Sequence, residues 1–209
     1  MKILIADDHE VVRRGVRDLL RQEYPTSHIA EAKDATAAVE FLMQQECDLL
    51  LLDINMPGRS GLEVLAEARR LCPTAPVVVL SMCPEEEFAV RAFKLGAAAY
   101  LNKANAGDEL LAAIRKVLLG GKYVSSTLAE KLADRLGGVE SSAPHEALSN
   151  RELQVLRLIA QGRSIKEIAV ELSLSDKTIG TYRLRIADKM HLSSNVDIAR
   201  YALKHGLVE

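Results

Sequence analysis

The sequence has no run of eighteen or so uncharged apolar residues, and a helix needs about twenty to cross a bilayer. No membrane span and no membrane partner are expected. The first ten residues, MKILIADDHE, reach paired aspartates too early to hold the apolar core of a secretion signal. Cysteine is scarce: Cys47, Cys72 and Cys83 are an odd number without C-x-x-C spacing, which argues against a disulfide framework and a zinc site. Low-complexity runs are absent as well. The expectation is a soluble, cytoplasmic protein with reduced thiols, and 209 residues at 48% hydrophobic can bury one or two cores.

Net charge is also small, −2, but the sum hides an asymmetry. Residues 1–146 carry 22 Asp+Glu against 17 Lys+Arg, whereas residues 147–209 carry 7 against 10. An acidic front and a basic back imply different partners. The front alternates the apolar runs KILIA, HIAEA, DLLLLD, PVVVLS and AAYL with segments whose apolar residues recur three and four apart, the pattern of repeated βα units. DLLLLD and PVVVLS are apolar throughout, as in central parallel strands covered on both faces. The fold class expected is α/β: a doubly wound, five-stranded parallel sheet. After it, Ala129–Leu136 has a short helical pattern and GGVESSAPHE lacks periodicity, so residues 122–146 read as a linker. From Leu148 only helices are expected. Two open with capping boxes (Ser149 with Glu152, Ser164 with Glu167), a third starts at Ser175 and a fourth near Asn195. The second domain, 147–209, is therefore all-α with four helices.

Open α/β sheets bind ligands beyond the carboxyl ends of their strands, where strand order reverses. Here those ends carry Asp7 and Asp8, Asp53, Ser81 and Lys103. Singly, the paired aspartates read as a solvated strand end, Lys103 as a surface lysine and Tyr100 as a core aromatic; their joint placement at successive strand ends changes that. Clustered carboxylates repel unless a cation lies among them, and oxygen-only ligands favour Mg²⁺. The ion's expected ligands are Asp8, Asp53 and the backbone carbonyl of Asn55, with Asp7 acting directly or through water. A carboxylate can accept a phosphoryl group, the surrounding cations neutralising the transferring oxygens. In this reading Asp53 is the phosphoacceptor, Lys103 supplies charge, Ser81 bonds a phosphoryl oxygen, and Tyr100 swings into the space the moving loop leaves.

These residues, in ADDHE (6–10), LLLLDINMPGRSGLE (49–63), LSM (80–82) and AYLNK (99–103), resemble the flavodoxin-like receiver domain of two-component response regulators over residues 1–121. The resemblance implies the same roles: an acidic metal pair (Asp7, Asp8), a phosphoacceptor (Asp53), a switch hydroxyl and aromatic (Ser81, Tyr100) and a lysine (Lys103). It also implies a sensor histidine kinase as partner. The chain departs after Lys103, where many receivers have a cis-proline and this one has Ala104.

In the back half, basic residues spread over helices have a bland reading as a solvated face. Residues 164–190, however, read helix, short turn, helix, with Ile179, Ile186 and Met190 on one face of the second helix. In a helix-turn-helix that helix enters the major groove while basic and hydroxyl groups fix phosphates. Gly180, Thr181 and Leu184 are assigned to the groove; Lys177, Thr178, Arg183, Arg185 and Lys189 to the DNA backbone; Tyr182 serves either DNA or the helix interface. The segment ALSNRELQVLRLIAQGRSIKEIAVELSLSDKTIGTYRLRIADKMHL, followed by DIARYALKHGLV, is similar to the LuxR-type helix-turn-helix, and joined to a receiver it resembles the NarL/FixJ class. That implies double-stranded promoter DNA and RNA polymerase as partners. It further implies a homodimer through the last helix, Asn195–His205, with Val196, Ala199, Arg200 and Leu203 as its face. Without phosphate, the receiver is expected to mask the recognition or dimerisation helix. Two rivals remain. A Mg²⁺-dependent phosphatase with Asp53 as nucleophile would want a second carboxylate two residues on, where this chain has Asn55. A receiver acting without phosphorylation leaves the acidic set and Lys103 unexplained. The chain is expected to be a regulator rather than an enzyme, beyond its own phosphoryl transfer and dephosphorylation.

Overall fold

A computed structural model describes residues 1–56, 59–83, 85–104, 106–126, 128–130 and 143–208. The chain divides into two units, Met1–Ala133 and Asp134–Glu209.

In the first unit, five short strands alternate with five helices: β1 (Lys2–Ala6), α1 (Glu10–Glu23), β2 (His28–Ala32), α2 (Ala35–Gln44), β3 (Leu49–Leu52), α3 (Gly61–Leu71), β4 (Val77–Ser81), α4 (Glu85–Lys94), β5 (Ala99–Asn102) and α5 (Ala106–Leu118). The strands pair in parallel in the order β2-β1-β3-β4-β5. Successive side chains of a strand point to opposite faces, and both faces here are apolar. Ile3, Ile5, Leu49, Leu51, Val78, Leu80 and Leu101 share a core with Val16 and Leu20 of α1 and with Leu110, Ile114 and Val117 of α5. The opposite face packs α2, α3 and α4 through Leu42, Leu65 and Phe88, among others. This is why β3 and β4 can be apolar without alternation. Among the described strands, only β2, at one edge of the sheet, is largely unburied.

The strand order turns back between β1 and β3, so the ends of these two neighbours diverge into a crevice. Backbone bonds fix its rim: the Asp53 amide donates to the Ala6 carbonyl at 2.8 Å, and the Lys103 amide to Ser81 at 2.9 Å. The loop after Asp53 then folds back on its own strand. The Gly61 amide donates to the Ile54 carbonyl at 2.9 Å, and Ser60, fully buried, caps α3 by accepting from the Leu62 amide. A β-carbon at Gly61 would lie 1.9 Å from the Asp53 carbonyl oxygen, so only glycine permits this approach.

Beyond α5 the chain stays attached to the sheet edge. The Tyr123 amide donates to the Ala98 carbonyl at 2.9 Å, and Ser125 Oγ to Glu85 at 2.8 Å. The stretch expected as a linker therefore begins in contact with β5 and α4. Most of the helical pattern at Ala129–Leu136 and the first half of GGVESSAPHE lie outside the described residues.

Among the described residues, the second unit has a 3₁₀ turn at Pro144–Ala147, followed by α6 (Asn150–Ala160), α7 (Ile165–Glu171), α8 (Asp176–Met190) and α9 (Asn195–Lys204). Each α-helix begins on a serine whose hydroxyl accepts an amide of the first turn: Ser149, Ser164, Ser175 and Ser194. Both expected capping boxes form. A third forms at Ser194 with Asp197, the shorter carboxylate reaching back as glutamate does elsewhere. Between α7 and α8, Ser173 adopts the left-handed region (φ 52°), which sharpens the turn. The 3₁₀ turn is pinned to α9 through His145, whose Nδ1 lies 2.9 Å from the Tyr201 hydroxyl.

Gly61→Ala is expected to destabilise the first unit by about 3 kcal/mol or more, because the added carbon meets backbone rather than a yielding side chain. Gly107→Ala, in open space on α5, should stay within about 1 kcal/mol of the parent or exceed it. Chemical denaturation of the two variants checks both.

Candidate functional site

At the crevice, the carboxyl ends of β1, β3 and β5 bring Asp7, Asp53 and Lys103 into contact. The Lys103 ammonium stands 2.6 Å from Asp7 Oδ2 and 2.6 Å from Asp53 Oδ2. Both aspartates are 2% exposed. Burial pushes the Asp53 carboxyl above its ordinary value, against the opposing pull of Lys103. Burial likewise disfavours the charged ammonium, but Asp53 and Asp7 together outweigh it and hold Lys103 above its ordinary value. The second oxygens face the other way. Asp53 Oδ1 accepts from the Asn55 amide at 3.1 Å, and Asp7 Oδ1 from the His9 amide at 2.9 Å.

Asp8 is only partly covered, yet its Oδ1 is buried without a hydrogen-bond partner. One ligand atom each from Asp7, Asp8, His9 and Asp53 fall within 4.8 Å of one another. An orphaned carboxylate oxygen among two other carboxylates is the donor set that a divalent cation satisfies. The residues present fit such an ion. From outside the pocket, Arg13 donates to the Asp7 carbonyl at 2.8 Å while its Nε pairs with Glu31 at 3.2 Å, so β2 braces the end of β1.

Ser81 ends β4 fully buried, and its Oγ accepts from the Cys83 amide at 3.1 Å. Asn55 Nδ2 donates to Cys83 Sγ at 3.3 Å, which ties the loop after β3 to the loop after β4. Tyr100, expected to swing inward once the loop moves, lies inside in this structure: its ring is fully buried, and its hydroxyl donates to the Cys83 carbonyl at 3.0 Å. Burial raises its hydroxyl well above the ordinary value. At Ala104, the amide that a proline would lack donates to Asn102 Oδ1 at 2.9 Å.

On the second unit, α8 buries Ile179, Ile186 and Met190. Its exposed face carries Lys177, Thr181, Leu184, Arg185 and Asp188, with Leu184 66% exposed. Gly180, Thr178 and Tyr182 are partly covered. Thr178 and Thr181 are engaged on the helix: the first shares a 2.8 Å bond with the Ser175 hydroxyl, the second donates to the Lys177 carbonyl. Two basic residues assigned to DNA turn toward neighbouring helices. Arg183 donates to Asn195 Oδ1 at 2.7 Å. Lys189 lies 2.6 Å from Glu152 Oε2, the carboxylate that closes the capping box of α6. On α9, Val196 and Leu203 are 65% and 58% exposed and share a face with Ala199 and Arg200.

Comparison with known proteins decides what this pairing of units is. The family described as "Response regulator receiver domain" matches residues 3–115, and "Bacterial regulatory proteins, luxR family" matches residues 146–202. The chain is 34% identical to response regulator GacA of Pseudomonas aeruginosa over 210 residues, covering 100% of this chain and 98% of GacA. It is 33% identical to response regulator UvrY of Escherichia coli K12, covering 99% and 95%. This chain belongs to the NarL/FixJ class of two-component response regulators. Among solved structures, the RcsB response regulator of Salmonella typhimurium aligns with a TM-score of 0.69 at 27% identity, covering 96% of each chain. A complex of RcsB with DNA aligns with a TM-score of 0.59 at 26% identity, also covering 96% of each chain.

In this response regulator the residues that sequence reasoning missed act mostly as supports. His9 in the acidic cluster and Arg13 behind it follow Asp8 so closely that the paired aspartates of ADDHE mask their signal. The Asn55–Cys83 contact and the Lys189–Glu152 pair join residues 28 and 37 positions apart, which no periodicity signals.

Glu152 is buried, but the Lys189 ammonium and the Ser149 cap outweigh that burial and hold its carboxyl below the ordinary value. Its stabilisation is therefore present at neutral pH and lost as pH falls through the acid range below its unfolded value. Lys189→Met is expected to cost about 1–2 kcal/mol at pH 7, discounted for the half-exposed lysine, and to flatten the acid limb. Urea denaturation at pH 7 and near pH 3 measures both.

Proposed function

We propose that Asp53 accepts a phosphoryl group from a sensor histidine kinase and that this modification controls DNA binding by the second unit. The observation that carries the reading is the Lys103 ammonium at 2.6 Å from both Asp7 and Asp53 at the strand-order reversal. Asp8, Asp53 and the Asn55 carbonyl would hold Mg²⁺, with Asp7 acting directly or through water; when bound, the ion neutralises charge on the transferring phosphoryl oxygens. One Asp53 oxygen attacks phosphorus, the bond to the kinase imidazole breaks, and the imidazole departs with that electron pair. Lys103 stays beside the acceptor and balances the charge that arrives. The Ser81 hydroxyl accepts from the Cys83 amide and keeps its own proton to donate to a phosphoryl oxygen, and that bond draws on the loop that carries the Tyr100 contact. Such a change biases the protein only if phosphate interacts differently with two of its states.

For the second unit we assign Gly180, Thr181 and Leu184 to the groove and Lys177, Thr178 and Arg185 to the backbone of promoter DNA, as the helix-turn-helix places them. Arg183, whose Nε is engaged by Asn195, is assigned to a backbone phosphate through its remaining guanidinium donors. Lys189 is assigned to the ion pair with the buried Glu152 carboxylate. The face of α9 formed by Val196, Ala199, Arg200 and Leu203 pairs with a second copy, which sets two recognition helices on two half-sites. The receiver is assigned to residues 1–121, the linker to 122–146 and the DNA-binding domain to 147–209. The regulator acts in the cytoplasm, where promoters and RNA polymerase are. A relative supports this reading: one RcsB structure is described as bound to a promoter in the presence of a phosphomimetic, BeF₃⁻.

The test uses a duplex recovered from genomic fragments by the BeF₃⁻-treated protein. Treated wild type is expected to bind it at least about fivefold more tightly than untreated protein. Asp53→Asn should bind equally with and without treatment. Lys177→Ala should lower the slope of log affinity against log salt by about one. Equal affinity of treated and untreated wild type would contradict the reading.

A further inference from the structure

The acidic pocket holds one nitrogen that the reading above does not use. His9 is the N-cap residue of α1, where a short polar side chain normally accepts from the first amides of the helix. Its imidazole makes no such bond. The ring turns instead to the carboxylates: Nδ1 stands 2.8 Å from Asp8 Oδ1 and 3.2 Å from Asp7 Oδ1. The His9 amide donates to the same Asp7 oxygen at 2.9 Å, which fixes the turn and keeps the ring over the pair. A hydrogen bond accounts for one of these contacts, because Nδ1 carries at most one proton. The Nδ1–Asp7 contact has hydrogen-bond geometry, whereas Asp8 Oδ1 is left without a partner.

Lys103 takes the opposite oxygens, Asp7 Oδ2 and Asp53 Oδ2. The pocket thus has an ammonium side and a side where Asp7 Oδ1, Asp8 Oδ1 and His9 Nδ1 face one another. A first-row divalent ion holds nitrogen and oxygen ligands at about 2.1 Å. Ligands at right angles around it are then about 3.0 Å apart, and opposite ones about 4.2 Å, by the same bond lengths. The 2.8 and 3.2 Å separations match such edges, and the wider cluster, with Asp53, spans 4.8 Å at most. The ring is more than half exposed, with a side-chain accessibility of 59%, so when a cation replaces the Nδ1 proton the ring can take the tautomer with its proton on Nε2, toward water, and Nδ1 then offers its lone pair.

The geometry points to His9 as a nitrogen ligand that makes this pocket favour divalent ions with affinity for imidazole, such as Co²⁺, Ni²⁺ or Zn²⁺, over Mg²⁺. The inference rests on the reading of the pocket as a divalent-ion site and adds its specificity. Mg²⁺ prefers oxygen and keeps several waters, whereas imidazole suits the later transition ions. An oxygen-only pocket separates these ions less than one with a fourth, nitrogen ligand does.

The experiment titrates the untagged full chain with Co²⁺, followed by its visible d–d absorption, and separately with Mg²⁺, followed by calorimetry. Wild type is compared with His9→Phe, His9→Gln and Asp8→Asn; the other four histidines are common to all. Both His9 variants should weaken Co²⁺ at least about tenfold and change its spectrum, and should alter Mg²⁺ affinity less than about twofold. Asp8→Asn should weaken both ions. Unchanged Co²⁺ affinity and spectrum would overturn the assignment of His9 as a ligand. Equal loss of both ions would overturn it too, leaving His9 as a support for the carboxylates. Failure of wild type to take up Mg²⁺ would overturn the reading of the pocket itself.

Discussion

Two carboxylates buried side by side are tolerable only because one ammonium stands between them. An isolated buried carboxylate costs several kcal/mol, and a second one nearby adds repulsion. Lys103 offsets both by lying 2.6 Å from each. That placement requires β5 to end beside β4, and β1 to neighbour β3, so that residues far apart in the chain meet at one end of a sheet. The core of leucine, isoleucine and valine therefore has a chemical consequence: it fixes strand register, and register fixes the triangle of Asp7, Asp53 and Lys103. The close approach of Gly61 to the Asp53 carbonyl serves the same end by holding the loop that carries Asn55 against its strand.

From that triangle the structure leads outward along short contacts. Asn55 touches Cys83, the Cys83 amide holds Ser81, and the Cys83 carbonyl receives the Tyr100 hydroxyl. The loop after β4 is thus held at Cys83 by three contacts, to Asn55, Ser81 and Tyr100. The second unit depends on a different economy. Four serine caps together with the Lys189–Glu152 pair help hold its helices in place. The outward face of α8 is thereby left free for Lys177, Thr181, Leu184 and Arg185.

Much of this was legible in the residue order. Apolar runs of five or so residues alternating with helical periods announce a parallel sheet, and the rule that ligands bind at strand ends selects Asp7, Asp8, Asp53, Ser81 and Lys103 without knowledge of the pairing. Two Ser-x-x-Glu boxes fixed helix starts to the residue; the third was missed because aspartate replaces glutamate at Asp197. Partners that depend on tertiary approach were not legible. Lys189 looks like any basic residue of a recognition helix until α6 places Glu152 beneath it. Tyr100, within the apolar run AAYL, reads as a core aromatic and is one, but its bond to the Cys83 carbonyl has no sign in sequence. His9 is hidden by the aspartates before it, although an N-cap position held by histidine rather than serine or aspartate was a signal available to a closer reading.

The central claim is that Asp53 is the chemical input of this regulator. Its most direct test is the intact mass of the protein after incubation with acetyl phosphate and Mg²⁺, wild type beside Asp53→Asn. One phosphoryl adduct is expected on wild type and none on the variant. No adduct on either protein, or the same adduct on both, would contradict it.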